Sequence, residues 1–263
     1  MKTLAREDAM QMLNKVPEVT LYFWVIKIMA TTVGETAADF LNVDLNFGLS
    51  GTSIIMGAFL AVSLFMQLRA RKYVPWLYWV NVVLISIVGT LVTDNLVDNF
   101  GIPLETTTIG FGLALLATFA AWYASEKTLS IHTIFTTKRE LFYWAAILFT
   151  FALGTAAGDL AAEGLNLGYA NSVLIFGALI AMVTIAYYGF RANAVLAFWI
   201  AYILTRPLGA SLGDSLSQPL SNGGIGLGAT ATSAIFLTSI LSLVIYLSVT
   251  RKDVVALRAR ETE

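Results

Sequence analysis

Apolar residues along this chain come in long runs separated by short polar stretches, and eight of the runs are long enough to cross a hydrocarbon core as helices. About 20 residues suffice for a core of about 30 Å. The runs fall at residues 18–41, 49–68, 76–97, 104–124, 141–163, 168–189, 194–216 and 227–250. Backbone in lipid must satisfy its own hydrogen bonds, so runs of this length read as helices. The expected fold is an all-α integral membrane protein with eight transmembrane helices.

A second pattern repeats inside the runs. An aromatic residue followed by Trp, a Gly ten residues after the Trp and an Asp five residues after the Gly occur at Phe23-Trp24/Gly34/Asp39, Tyr78-Trp79/Gly89/Asp94, Tyr143-Trp144/Gly154/Asp159 and Phe198-Trp199/Gly209/Asp214. Each occurrence lies in an odd-numbered segment, and each even-numbered partner opens with Gly, Ser or Thr. This is internal duplication. It predicts four parallel helical-hairpin repeats, at about 18–72, 73–130, 138–191 and 192–250, within one membrane domain over 18–250. Two crossings per repeat give every repeat the same orientation, so a pseudo-two-fold or pseudo-four-fold axis along the membrane normal relates them.

Four tandem two-helix repeats, each with its Trp, resemble a bacterial multi-pass membrane protein family of unknown function, often labelled uncharacterised membrane-anchored proteins. The resemblance covers about residues 18 to 250. It implies the architecture and a bacterial inner-membrane location, and it carries no activity.

Composition agrees with a bilayer setting: 57% of residues are hydrophobic, 13% are charged and the mean hydropathy is +0.75. The net charge of −1 conceals a segregation. Lys2, Arg6, Lys15, Arg69, Arg71, Lys72, Lys127, Lys138, Arg139, Arg191, Arg251, Lys252, Arg258 and Arg260 all fall on one side of the eight-segment arrangement. The positive-inside rule makes that side cytoplasmic, with residues 1–17 and 251–263 forming cytoplasmic terminal segments. No basic surface for nucleic acid is expected. Cysteine is absent and the single histidine, His132, lies in a connector, which removes thiolate, haem-ligating and HExxH-type zinc chemistry from the membrane segments. With no nucleophile or acid-base pair standing out, the chain reads as no enzyme, with no cofactor and the lipid bilayer as its surroundings.

The candidate site is acidic. A carboxylate on a membrane helix usually faces the bundle interior or water and marks an ion or proton pathway. Symmetry would draw Asp39, Asp94, Asp159 and Asp214 into a ring or two pairs of carboxylates, with Glu35 as a fifth carboxylate. Lys27, Glu35 and Arg206 break the repeat. Lys27, Thr31 and Glu35 follow one another at four-residue steps on one face, so Lys27 and Glu35 are expected to communicate through the threonine hydroxyl or a water. Arg206 precedes Pro207, which is expected to loosen its helix. Lys27 and Arg206 then serve as gating groups or counter-ions. The glycines Gly34, Gly89, Gly154 and Gly209 each have a small residue four positions later, the pattern of close helix packing. Trp24, Trp79, Trp144 and Trp199 serve as interfacial anchors or packing residues, or line a central space, being about 60° around the helix from the aspartates.

Two functions follow. The first is a transporter or channel for a small cation, either a divalent metal ion or one exchanged for protons, with the four aspartates as ligands. Oxygen ligands alone fit manganese, magnesium or calcium. The second is a non-transporting accessory protein, in which Asp and Gly hold the bundle and another membrane protein is the partner.

Overall fold

The computed structural model describes residues 14–254; within them the chain forms eight long α-helices and no strand. They are α1 (Leu21–Asp39), α2 (Gly48–Arg69), α3 (Pro75–Asp94), α4 (Leu104–Glu126), α5 (Thr137–Asp159), α6 (Tyr169–Phe190), α7 (Ala194–Ser217) and α8 (Ala229–Thr250). Most of the expected cytoplasmic N-terminal segment and C-terminal tail lies outside the described residues. Seven helices, α2 to α8, are long and apolar enough to cross a membrane. The exception is α1, whose apolar content Lys27 and Glu35 dilute.

Local chemistry sets the ends. Thr20 accepts from the Phe23 amide and Asn193 from those of Val195 and Leu196, capping α1 and α7. Pro75 opens α3, where its missing N–H is harmless. Helices α4, α6 and α8 end at Lys127, Arg191 and Arg251, all in the left-handed conformation, placing a cation at the negative end of each helix dipole. After their aspartates α1, α3 and α5 each continue into a five-residue π-helical turn, Phe40–Asp44, Asn95–Asn99 and Leu160–Gly164.

The odd-numbered helices form a closed inner ring, with α1 against α3, α3 against α5, α5 against α7 and α7 against α1. The even-numbered helices lie outside it. Their principal partners are not the odd helices of their own repeats: α2 packs on α3, α4 on α5, α6 on α7 and α8 on α1. The expected helical hairpin is therefore a connection in sequence rather than the main packing unit. The reason is that each odd helix spends its small-residue face on neighbouring odd helices, and the even helix settles on the next odd helix around the ring.

Glycines set the spacing within the ring. Gly34 faces Ser86, Gly89 faces Phe151, Gly154 faces Arg206 and Gly209 faces Thr31. Each facing residue lies three positions before the glycine of its own helix, and the fourth contact closes on the first helix. A Cβ at any of the four would overlap its partner, so these backbones approach as only glycine allows.

The aromatic pairs interlock in the same order. Phe23 lies 5.7 Å from Trp79, Tyr78 5.6 Å from Trp144, Tyr143 6.2 Å from Trp199 and Phe198 5.7 Å from Trp24. Trp79, Trp144 and Trp199 are buried between helices and Trp24 is half-buried, so their rings pack neighbouring helices together. The Trp199 indole donates to the Leu129 carbonyl at 2.9 Å, tying the connector before α5 to α7.

On the side rich in basic residues, Lys15 pairs with buried Glu140 at 2.6 Å and donates to the Leu68 carbonyl, while Gln67 donates to the other Glu140 oxygen. Nearby, His132 Nδ1 lies 3.5 Å from Glu18, and that carboxylate raises the histidine pKa. The raised pKa means that the pair stabilises the fold below the unfolded histidine pKa of about 6.5 and stops doing so as pH rises through the folded value.

Three variants test the pH-dependent pair and the glycine contacts. His132→Asn should lower the melting temperature at pH 5.5 and leave it unchanged at pH 8.5. Gly154→Ala, forced onto the Arg206 stem, should destabilise by about 1–3 kcal/mol in chemical or thermal unfolding. Gly110→Ala, with nothing within 4 Å of its added methyl, should instead stabilise α4 by about 0.5–1 kcal/mol.

Candidate functional site

Each inner helix carries a stripe at four-residue steps, beginning at the aromatic before the Trp and ending at the repeat Asp, buried throughout except at Phe198, Asp39, Asp94 and Asp159, which are half-buried. On α1 it reads Phe23, Lys27, Thr31, Glu35, Asp39; on α3 Tyr78, Val82, Ser86, Thr90, Asp94. On α5 it reads Tyr143, Ile147, Phe151, Thr155, Asp159, and on α7 Phe198, Tyr202, Arg206, Ala210, Asp214. Each level therefore gathers one residue from each helix.

The third and fourth levels meet at Arg206, which is wholly buried. Its Nη1 donates to the Thr31 carbonyl at 3.1 Å, and its Nη2 donates to Glu35 at 3.0 Å, to the Thr155 hydroxyl at 2.7 Å and to the Thr90 hydroxyl. One side chain from α7 thus binds α1, α3 and α5 together. The threonines are suited to accept: Thr90 Oγ1 donates its own hydrogen to the Ser86 carbonyl and Thr155 Oγ1 to that of Phe151, leaving lone pairs for the guanidinium. Gly154 makes room for the arginine stem. Pro207 does not interrupt the helix; α7 runs through it from Ala194 to Ser217, with its ring against Gly154 and the Thr31 hydroxyl donating to the Thr205 carbonyl at 3.2 Å.

Glu35 is consequently the partner of Arg206 and not of Lys27. The expected link through Thr31 is not made, because the Thr31 hydroxyl is directed to the carbonyls of Ile28 and Thr205. The Lys27 side-chain nitrogen is fully buried with no hydrogen-bond partner among the described residues, 4.1 Å from the Phe151 ring centroid and 4.2 Å from that of Tyr202.

Three carboxylates converge beyond Arg206. Oxygens of Glu35, Asp159 and Asp214 all lie within 4.8 Å of one another. Asp39 and Asp94 stand outside this trio at the ends of α1 and α3, both half-buried beside the π-helical turns. Among the described residues the structure thus brings together two of the four repeat aspartates with Glu35. Glu35 is shared between Arg206 and the trio, so one carboxylate belongs to an internal ion pair and to a cluster of oxygens with charge to spare. Crowded carboxylates of this kind hold either a cation or protons. With oxygen donors alone, the cation that fits is a hard one.

Thr90 and Thr155 carry only a weak signal in the sequence: both follow the repeat glycine at the position Glu35 occupies in the first repeat. The hydroxyl pair of Tyr78 and Tyr143, 2.6 Å apart, was unannounced by spacing.

A ring of four helices, one from each repeat and joined by a buried arginine, defines a multi-pass membrane protein built by internal repetition. The chain belongs to the family described as Repeat of Unknown Function (DUF347), which matches residues 22–73, 77–128, 142–193 and 197–253. No curated protein and no solved structure matches it.

Removing the counter-charge tests the hub. Glu35→Gln leaves a buried guanidinium without its anion and should destabilise the protein by about 3–5 kcal/mol, read as a fall in melting temperature in detergent.

Proposed function

We propose that this chain is a membrane transporter or channel for a small cation, recognised by Glu35, Asp159 and Asp214. The observation that carries the reading is the convergence of three carboxylates from α1, α5 and α7 within 4.8 Å. Asp39 and Asp94 add negative charge around the same end of the inner ring, and the absence of Cys and membrane His in the sequence favours manganese, magnesium or calcium. Arg206 closes the axis beneath the trio, so passage requires its bond to Glu35 to open.

The setting belongs to the same proposal. All eight helices span the membrane, α1 being the eighth because it is enclosed by α3, α7 and α8. The recurring glycine and aromatic contacts support a pseudo-four-fold axis along the membrane normal. The distribution of Lys and Arg supports an inner membrane orientation with both termini cytoplasmic.

A second reading is favoured by the Arg206 hub itself. Its bonds to three helices are what an accessory protein would need merely to hold a bundle together while its outer surface binds another membrane protein.

Thermal stabilisation of the detergent-purified protein by Mn²⁺, Mg²⁺ and Ca²⁺ separates the two. At 100 times its dissociation constant a bound ion should add about 2.7 kcal/mol. The transporter reading expects one ion to stabilise the parent, Asp159→Asn and Asp214→Asn to abolish that effect, and the same ion to cross vesicle membranes containing the parent. Early melting of both variants, with no response of the parent to any ion, would favour the accessory role.

A further inference from the structure

Lys27 is the group that the bundle leaves unexplained. It stands on the second level of the inner stripe, wholly buried, and its amine has no hydrogen-bond partner among the described residues. Other buried cations are treated differently: Arg206 has Glu35, and Lys15 has Glu140. Two aromatic faces flank the Lys27 nitrogen, Phe151 at 4.1 Å and Tyr202 at 4.2 Å. Aromatic faces attract an ammonium without demanding one, since a neutral amine also fits between them. The site thus tolerates both protonation states, whereas a carboxylate partner would have held the charge in place.

The surroundings of Lys27 can be named helix by helix. On α7, Tyr202 and Arg206 face it, the latter one level away and sharing contact with the Phe151 ring at 5.9 Å. On α3 the titratable residues are Tyr78 and Asp94, at the two ends of the stripe, and Val82 occupies the Lys27 level. On α5 that level is Ile147, with Tyr143 before it and Asp159 beyond, while Lys138, Arg139 and Glu140 lie in the first turn. Helix α8 has no titratable residue between Ala229 and Ile245. Arg206 is therefore the charge that Lys27 feels, and Glu35 is what neutralises Arg206.

We propose that Lys27 is the exchangeable-proton site of this bundle, tied through Arg206 to the carboxylate trio so that a cation among the carboxylates and a proton on Lys27 exclude one another. A cation that engages Glu35 draws the carboxylate away from Arg206. The uncovered guanidinium then repels the Lys27 ammonium, which gives its proton to solvent and becomes a neutral amine. Linkage makes the effect reciprocal, so protonated Lys27 weakens the cation site. This rests on the cation reading of the trio and adds proton exchange as its coupling.

The test has two arms on the full-length protein in detergent. Without any divalent cation, potentiometric titration from pH 5 to 9 should show the parent taking up one proton per chain more than Lys27→Met, with Lys27→Gln as the replacement should the Met variant fail to fold. With Mn²⁺, Lys27→Met should bind about tenfold more tightly than the parent and release about one proton fewer per ion, while Lys27→Arg, permanently charged, should bind more weakly. Identical proton uptake by the parent and the neutral variant would overturn the proposal whatever the ion does. Equal Mn²⁺ affinity in parent, Met and Arg variants would overturn the coupling. Failure of the parent to bind Mn²⁺, Mg²⁺ or Ca²⁺ would sink the cation reading and the coupling with it, while the first arm still decides the proton site.

Discussion

Everything in the inner ring depends on where one guanidinium can go. Arg206 is held wholly inside the bundle, where a charge is costly unless it is paired and hydrogen-bonded; its Nε is left without a partner among the described residues, and the two Nη groups carry the pairing. Glu35 supplies the charge, and Thr31, Thr90 and Thr155 supply acceptors from the other three inner helices. Rotating or sliding any of these helices by one residue would separate a donor from its partner. The glycine contacts bring the backbones close, and the arginine specifies which residues face each other once they are close.

The same geometry explains why a fourfold repeated sequence is broken where it is. Four arginines at one level around one axis would repel, and the space left by Gly154 admits a single stem. The equivalent positions carry Thr31, Ser86 and Phe151, two small hydroxyl residues and an aromatic. One level further, Glu35 stands with Thr90, Thr155 and Ala210: one anion to answer one cation, two acceptors and a methyl. At the Lys27 level the other three helices supply Val82, Ile147 and Tyr202. Charge is rationed to at most one residue per level through the interior, and only at the Asp level do all four repeats carry the same residue. That level lies at the helix ends, where three of the four aspartates remain partly exposed.

A ladder of charge results, with carboxylates at one end, a paired arginine beneath them and, beneath that, a lysine with no partner among the described residues. Each rung alters the electrostatic field felt by the next. On the proposed cation reading, ion binding at the carboxylates, the Glu35–Arg206 bond and the charge on Lys27 would be linked quantities in a low-dielectric space, where single charges a few ångströms apart matter far more than in water. The accessory reading uses the first two rungs as fixed structure and gives the third no task.

What the sequence determined by itself was everything governed by spacing along one chain. Run length defined the helices, boundaries falling within a few residues of those observed. The Trp…Gly…Asp frame revealed the repeats, and four-residue steps placed Lys27, Thr31 and Glu35 on one buried face. What it left open was every question of which face meets which. Glu35 found Arg206, 171 residues away, in preference to Lys27 on its own helix. The trio took Glu35, Asp159 and Asp214 and left Asp39 and Asp94 outside, although all four aspartates share one repeat position. The even helices passed over their own repeats for the next. Periodicity fixes the direction of a side chain relative to its helix axis, but a partner is set by the rotation and register of a neighbouring helix. Those were decided only when the glycine contacts and the buried arginine closed the ring.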